Sequence, residues 1–202
     1  MNQFWIFVSV AGLVFFISQA FMVRSVKKTE ERPYRLISKD ESVEIRYYPE
    51  AVLASVRMSG NKYSEISNRG FRALANYIFG GNKKNQSIAM TSPVEMQMSD
   101  TMSRMSFVMP KNYALGDLPS PENESVLLHN VPGEYVAVIS FSGYASDQKI
   151  ERYTELLKTT LNEKKISFNP PFRYLGYNPP FQVVGRRNEI IVNIQYAESS
   201  TP

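Results

Sequence analysis

Hydrophobic and polar positions repeat in two extended segments of this chain. Residues 49–60 (PEAVLASVRMSG) align without a gap with residues 132–143 (PGEYVAVISFSG) at a constant offset of 83 residues. Apolar side chains fall opposite apolar ones, as at Val56 and Ile139. Two copies of an incomplete unit usually bury their faces against each other, and ligands often bind at the seam. The pattern therefore predicts one domain built from two similar halves.

A helical pattern follows each extended segment. After Gly60, apolar residues return at three- and four-residue intervals until Gly80 and Gly81, namely at Ile66, Phe71, Leu74, Ala75 and Ile78. After Gly143, Asp147 is the expected N-cap. The second apolar stripe consists of Tyr153, Leu156, Leu157 and Leu161. Two extended runs follow each helix, so each half is predicted as strand, helix, strand, strand.

The halves cover about residues 43–110 and 125–196, and a proline-rich connection joins them. Both lie in one predicted domain at residues 41–197, which a short tail at residues 198–202 follows. With 43% apolar residues, the chain can bury a sizeable core. The fold class predicted from this pattern is α+β.

The first residues form a separate segment. Residues 4–23 carry no charge, and as a helix they would span about 30 Å, the thickness of the hydrocarbon core of a bilayer. We expect a single-pass transmembrane anchor at residues 1–23 and a charged linker at residues 24–40. Basic residues directly after the apolar run favour a cytoplasmic domain, although the opposite side of the membrane remains open. The alternative is a cleaved signal peptide, with Ser18-Gln19-Ala20 resembling a cleavage site.

Composition excludes several kinds of chemistry. The chain contains no cysteine, which removes disulfides, thiolate catalysis and cysteine-ligated metals. The net charge of +4 is spread along the sequence and lacks the dense basic face of a nucleic-acid-binding protein. We therefore expect no nucleic-acid partner.

Six methionines fall within the segment from residue 87 to residue 110. In an extended strand Met90, Val94 and Met96 share one face, while Glu95 and Gln97 share the other. Methionine is flexible and polarisable, so such a face suits a bulky flat ligand, and a thioether is able to ligate iron. Ordinary core filling is the alternative interpretation.

His129 is the single histidine of the chain and therefore the one imidazole available as a metal ligand. The repeat offset matches it with Arg46, which indicates a position that tolerates a solvated cation. A surface or hydrogen-bonded role is the alternative to iron ligation.

Several motifs together resemble the SOUL haem-binding protein family. They are residues 88–94 (IAMTSPV), 107–110 (FVMP), 174–180 (YLGYNPP) and 185–189 (GRRNE). The resemblance runs from about residue 43 to residue 195. It implies two strand-helix-strand-strand repeats in a distorted antiparallel β-barrel with two flanking helices, similar to gyrase-inhibitor-like ligand-binding domains.

The resemblance implies a non-catalytic protein that binds haem or another tetrapyrrole without a covalent attachment. The apolar cleft beside the first helix would use Phe71, Leu74, Ala75 and Ile78, with Met90 and Met96 across from it. Cationic partners for the haem propionates occur on this helix in the family. The matching positions here are Asn68 and Asn76, and the neighbouring Arg69 and Arg72 are the substitutes.

Two other functional classes are the alternatives. Related gyrase-inhibitor-like folds include hydrolases with a pocket carboxylate, for which Glu95 and Glu189 are the candidates. A scaffold protein with a filled pocket is the other alternative. Arg186 and Arg187 have two interpretations. They contact an anionic group at the cleft mouth, or they only solvate the turn or pair with Glu189.

Overall fold

The computed structural model describes residues 29–196, together with Val8, Leu13, Ser18 and Gln19. The described range forms two long helices, α1 (Tyr63–Ile78) and α2 (Asp147–Glu163). Its strands are β1 (Glu30–Glu31), β2 (Arg35–Asp40), β3 (Val43–Tyr48), β4 (Ala51–Met58), β5 (Thr91–Ser92), β6 (Val94–Gln97), β7 (Ser103–Val108), β8 (Val126–Val131), β9 (Glu134–Ser142), β10 (Phe168–Gly176) and β11 (Arg187–Ile194).

Two strand-helix-strand-strand units are present, as the repeat predicts. The first is β4-α1-β6-β7 and the second is β9-α2-β10-β11. Their strands join one antiparallel sheet of nine strands in the order β2-β3-β9-β11-β10-β6-β7-β4-β8. The short strands β1 and β5 form a separate parallel pair. Apart from the additional edge strand β2, the order is symmetric about the β10–β6 pair, where the two units meet edge to edge.

Each unit is preceded in the chain by one strand, its leading strand, and this strand pairs with the other unit. The strand that precedes β4 in the chain, β3, pairs with β9, and the strand that precedes β9, β8, pairs with β4. The registers are equivalent, because Arg46 lies opposite Val136 and His129 lies opposite Leu53, each 83 residues from its counterpart. This exchange links the halves through hydrogen bonds at both flanks of the sheet.

The repeated Ser-Gly dipeptide ends a strand in both units. Gly60 has a φ of 109° and Gly143 a φ of 80°, in the left-handed region that favours glycine. The backbone can therefore leave the sheet and turn into the following helix. At α2 the N-cap is Ser146, whose hydroxyl accepts from Lys149 N, and not Asp147 as the sequence suggested. Asp147 instead accepts a hydrogen bond from Ser64 N at the start of α1.

Both helices pack on one face of the sheet and enclose the main core. Leu74 of α1 and its repeat counterpart Leu157 of α2 are both fully buried. At Gly70 the helix α1 lies close to β4, since a Cβ atom there would be 2.6 Å from Met58 Cε, the end of a flexible side chain. Most residues of the apolar stripes predicted for the helices therefore face the sheet, but Phe71 and Leu156 are 40% and 43% exposed.

The expected β-barrel is wrong, because the nine strands form an open sheet. Within the described range, β2 and β8 are the edges and do not pair with each other. β2 carries mostly exposed polar and charged side chains, which protect an edge from further pairing. Closure depends on pairing between strands distant in sequence, which local hydrophobic patterns do not specify.

The N-terminal segment differs from the prediction in the part that the structure describes. Residues 30–31 and 35–40, predicted as part of a linker, form β1 and β2. The exposed side chains of β2 show no apolar alternation, so the sequence carried no strand signal there. The predicted transmembrane anchor at residues 1–23 lies outside the described residues except at four positions. Among the described residues, no helix has the length and apolar character needed to cross a membrane.

The second face of the sheet carries a small apolar cluster and buried ion pairs. Arg46 meets Glu189 in a bidentate pair, with Nη1–Oε2 and Nη2–Oε1 distances of 3.0 and 3.1 Å. Tyr177 donates to the same carboxylate at 2.7 Å, and burial together with the charge of Glu189 raises the pKa of Tyr177 well above its usual value. Arg187 supplies a second guanidinium. Glu189 is therefore enclosed by donors.

We predict that Leu74→Ala and Leu157→Ala destabilise the protein by similar amounts. Each substitution empties an equivalent fully buried position, and Leu→Ala in a core costs about 2–5 kcal/mol. Chemical denaturation measures the free energy of unfolding. Leu156→Ala is the matched control, since this leucine is exposed and should change stability little. A large loss at only one of the two buried positions would contradict an equivalent core in the two halves.

We further predict that Arg46→Ala lowers the free energy of unfolding by about 3 kcal/mol. Removing one partner of a buried pair costs about 3–5 kcal/mol because the other charge stays buried. Here Arg187 also pairs with Glu189, so the carboxylate keeps one cationic partner and the loss is limited. Lys158→Ala, which breaks the exposed pair with Glu155, is the control and should cost less than about 1 kcal/mol. Equal effects of the two variants would mean that the Arg46 pair is not buried in solution.

Candidate functional site

The outer face of α1 carries an exposed apolar stripe. Phe71 is 40% exposed, Ala75 is half-buried, and Phe79, which directly follows the helix, is 66% exposed. The other two α1 residues predicted to line the cleft are Leu74 and Ile78, and both are buried in the core. They support the helix from beneath and are not accessible to a ligand. Sequence reasoning missed Phe79, although its spacing of four residues from Ala75 places it on the same stripe.

The second helix lacks this stripe. The repeat offset matches Phe71, Ala75 and Phe79 with polar residues of α2, namely Thr154, Lys158 and Asn162. The buried Leu74 and Ile78, in contrast, correspond to Leu157 and Leu161, which are also apolar and buried. The apolar surface is therefore a property of the first half, and the need to fill the shared core does not explain it.

Phe71 is held in place from beneath. Its ring meets the ring of Phe107 edge-on, with 5.4 Å between centroids and 61° between planes. Phe107 lies on β7 and is 2% exposed. A pair of this kind is typical of aromatic packing, and it leaves the outer side of the Phe71 ring open to solvent. The stripe thus offers a positioned aromatic surface.

The cations of α1 differ in their availability. Arg69 donates a hydrogen bond from Nη2 to Ser59 O and so ties α1 to the preceding strand. Arg72 is exposed on the helix next to Phe71. The offset matches Arg72 with Glu155, so α2 carries the opposite charge at this position. Asn68 and Asn76 are exposed on the same helix.

The two methionines predicted to face the ligand differ in burial. Met96 lies on β6 with 5% of its surface exposed and packs in the core. Met90 is half-buried at the margin of the same core. The predicted alternation along β6 is confirmed, because Met96 faces the helices while Glu95 lines a cavity on the other face. Of the pair, only Met90 retains accessible surface of any extent.

His129 lies on the sheet face opposite α1. Its Nε2 is 2.9 Å from Ser55 Oγ, which is 2.8 Å from Ser106 Oγ. The neighbour Leu128 points the other way, towards the main core. The sheet therefore separates His129 from the stripe on α1, and the two parts of the predicted site do not share a surface.

A cavity of about 510 Å³ lies on the same face as His129. Ionisable and polar side chains line much of it, namely Arg32, Glu95, Arg104, Glu134, Arg173 and Asn193. Arg173 Nη1 contacts Glu95 Oε2 at 3.2 Å, and its Nη2 contacts Glu134 Oε2 at 2.8 Å. This cavity is bordered by ion pairs, in contrast to the apolar surface of α1.

The carboxylates at this face are engaged by guanidinium groups. Burial alone would raise the pKa of Glu134, but hydrogen bonds and charge from Arg173, with the charge of Arg32, outweigh burial and hold that pKa below its usual value. Glu95 contacts Arg173 through one oxygen and Arg104 through the other, at 3.2 and 3.7 Å. Each oxygen of Glu95 therefore has a guanidinium group within 4 Å.

The remaining sequence candidates lie in the turn before β11. Arg187 Nε pairs with Glu189 Oε1 at 3.0 Å. Arg186 donates to the carbonyl oxygens of Pro179 and Gln182 at 2.7 and 2.6 Å. Both arginines have structural partners in the turn. Among residues that the structure describes, no group of three or more acidic or histidine side chains is placed to hold a metal ion.

Solved structures share the fold of this chain. The crystal structure of the EcmrR C-terminal domain aligns with a TM-score of 0.56 at 10% identity, over 81% of this chain and 99% of that one. The crystal structure of a hydrolase from Listeria innocua also gives 0.56, at 8% identity, over 79% of this chain and 94% of that one. At such identities the likeness concerns the fold alone.

Sequence relatives are more informative. Heme-binding protein 2 of Homo sapiens is 30% identical over 157 residues, which cover 74% of this chain and 76% of that protein. Heme-binding protein 1 of Xenopus laevis is 27% identical over 172 residues, which cover 80% of this chain and 90% of that protein. The family model described as SOUL heme-binding protein matches residues 29–193. This chain therefore belongs to the SOUL haem-binding protein family.

Proposed function

We propose that this chain is a membrane-anchored, non-catalytic protein that binds haem or another tetrapyrrole. The ligand would bind without a covalent bond on the outer face of α1. The observation that carries the proposal is the apolar stripe of Phe71, Ala75 and Phe79 on α1, in which both phenylalanines are exposed. The corresponding residues of the second half are polar. Exposed aromatic groups at regular spacing on a helix are suited to a flat apolar ring. Membership of the family supports the same ligand class.

The residues of α1 fit the chemistry of haem. Phe71, already backed by Phe107, would pack against the porphyrin face, and Phe79 would extend that contact. Arg72, exposed beside Phe71, would pair with a propionate. Bound haem would supply a redox-active iron. The chain would bind the ring by its faces and its carboxylates, since its single histidine lies across the sheet.

A non-catalytic role accords with the state of the two candidate carboxylates. Glu95 contacts two arginines, and Glu189 is fully buried between Arg46 and Arg187. A general base needs an accessible oxygen that can accept a proton from the substrate. The proposed function therefore requires binding and release only.

Membrane anchoring is part of the proposal because residues 4–23 form an uncharged run long enough to cross a bilayer. Arg24, Lys27 and Lys28 follow it directly, and by the positive-inside tendency they favour a cytoplasmic location of the folded domain. Haem would then be bound close to the membrane surface.

We predict that the full chain binds hemin saturably at one-to-one stoichiometry and that Phe71→Ala with Phe79→Ala weakens binding by at least about tenfold. Burying one aromatic side chain is worth about 1.5–3 kcal/mol, and 1.4 kcal/mol is tenfold in affinity. Titration followed at the Soret band measures both quantities.

Two control variants locate the site. Leu156→Ala removes an exposed apolar side chain from α2, and His129→Ala acts on the opposite face. Both should leave the affinity and the Soret spectrum unchanged. A spectrum altered by His129→Ala together with normal binding by the double phenylalanine variant would move the site to the other face of the sheet. Non-saturating uptake by the unmodified chain would refute haem binding.

We also predict that Arg72→Gln weakens the binding of hemin but leaves the binding of hemin dimethyl ester unchanged. The ester lacks the propionate charges, so the variant removes a favourable interaction only from the free acid. Competition titrations of the two ligands measure the difference. Arg152→Gln, at an exposed arginine of α2, is the control. An equal loss for both ligands would mean that Arg72 acts through packing and does not pair with a propionate.

A further inference from the structure

The loop between β10 and β11 exposes three large apolar side chains within four residues. Phe181 is 60% exposed, Val183 46% and Val184 58%. Such side chains seldom cluster at a loop tip in water, and a contiguous apolar patch marks a contact surface. Neither the haem proposal nor the packing of the described core accounts for them.

Polar residues of the same loop point inward and hold its shape. Gln182 is 1% exposed and donates from Nε2 to Val184 O at 2.8 Å, while Asn178 Nδ2 donates to Gln182 Oε1 at 3.1 Å. Asn178 Oδ1 accepts from Arg187 N at 2.6 Å. The usual arrangement is thus inverted, since the buried side chains are polar and the exposed ones apolar. These hydrogen bonds fix the shape of the loop and keep its apolar side chains exposed.

A neighbouring aromatic residue extends this surface. Tyr144, in the turn between β9 and α2, is 48% exposed. The guanidinium of Arg186 lies 4.3 Å from the centre of its ring and also binds the loop carbonyls of Pro179 and Gln182. Tyrosine and arginine at the rim of an apolar patch are typical of residues at the boundary between water and lipid.

One described residue of the uncharged N-terminal run, Gln19, contacts this loop. Gln19 is 6% exposed, its Oε1 accepts from Val183 N at 3.0 Å, and its Nε2 donates to Phe181 O at 3.5 Å. Earlier in the run, Val8 and Leu13 are 47% and 61% exposed. The domain therefore covers Gln19 but leaves much of these two apolar side chains open, which favours lipid as their surroundings.

We propose that the tip of this loop, formed by Phe181, Val183 and Val184 with Tyr144 at its edge, inserts into the interface of the bilayer that the N-terminal run enters. The inference rests on the membrane anchoring proposed above and adds a second contact with the membrane. The hydrogen bonds of Gln19 keep this loop next to the run, and therefore next to the lipid that would surround the run. A second contact fixes which end of the sheet faces the lipid, and basic residues after the run favour an anionic leaflet.

The absence of cysteine makes the test direct. The full chain is reconstituted in phosphatidylcholine and phosphatidylserine vesicles after single substitutions Val184→Cys, Val8→Cys or Glu163→Cys and labelling with an NBD fluorophore. Val8 reports on the anchor and Val184 on the loop. Glu163 is the control at the far end of α2, a helix of 17 residues and about 25 Å. Quenching by lipids with doxyl groups near the headgroup is then compared among the three.

We expect loss of emission at Val8 and Val184, with no loss at Glu163. Quenching at Val8 without quenching at Val184 would overturn the loop contact and leave the anchor intact. Quenching at neither position would overturn the anchor and with it this inference. Quenching at all three would show adsorption without a fixed orientation and would also overturn it.

Discussion

The exchange of leading strands between the two halves is the constraint on which the rest of the structure depends. β3 precedes β4 in the chain but pairs with β9, and β8 precedes β9 but pairs with β4. Together with the β6–β10 pair at the centre, this joins both units in one sheet. Neither half could complete its sheet flank alone. Both helices consequently share one face, and the other face is left for the buried ion pairs and the polar cavity.

Duplication preserved what the core requires and left the outer surfaces free to differ. Leu74 and Leu157 occupy equivalent buried positions because the same space must be filled in both units. On the outside, Phe71 corresponds to Thr154 and Arg72 to Glu155. These outward positions have little effect on packing, so a ligand surface can arise on one helix without a change in the fold. The proposed haem surface lies where the copies differ in this way.

The sheet face opposite the helices diverged as well. Arg46 and His129 occupy equivalent positions in exchanged strands, yet Arg46 pairs with Glu189 while His129 meets the hydroxyl of Ser55. A charge buried under a sheet needs a matching charge, whereas a half-buried imidazole needs only a hydrogen-bond partner. The same physical requirement explains why Glu95 and Glu134 are engaged by arginines, although both line a cavity.

The sequence by itself determined the repeat, the two helices and the alternation along β6, because hydrophobic periodicity is a local property that each element carries in its own residues. Family motifs also indicated the ligand class. Only the tertiary structure decided that the sheet is open, that β2 is a strand, that His129 lies across the sheet from α1 and that Leu74 and Ile78 are covered while Phe79 is exposed. These features depend on which distant strands pair and which face each helix covers. Periodicity tells which side chains share a face, but only long-range pairing determines what that face meets.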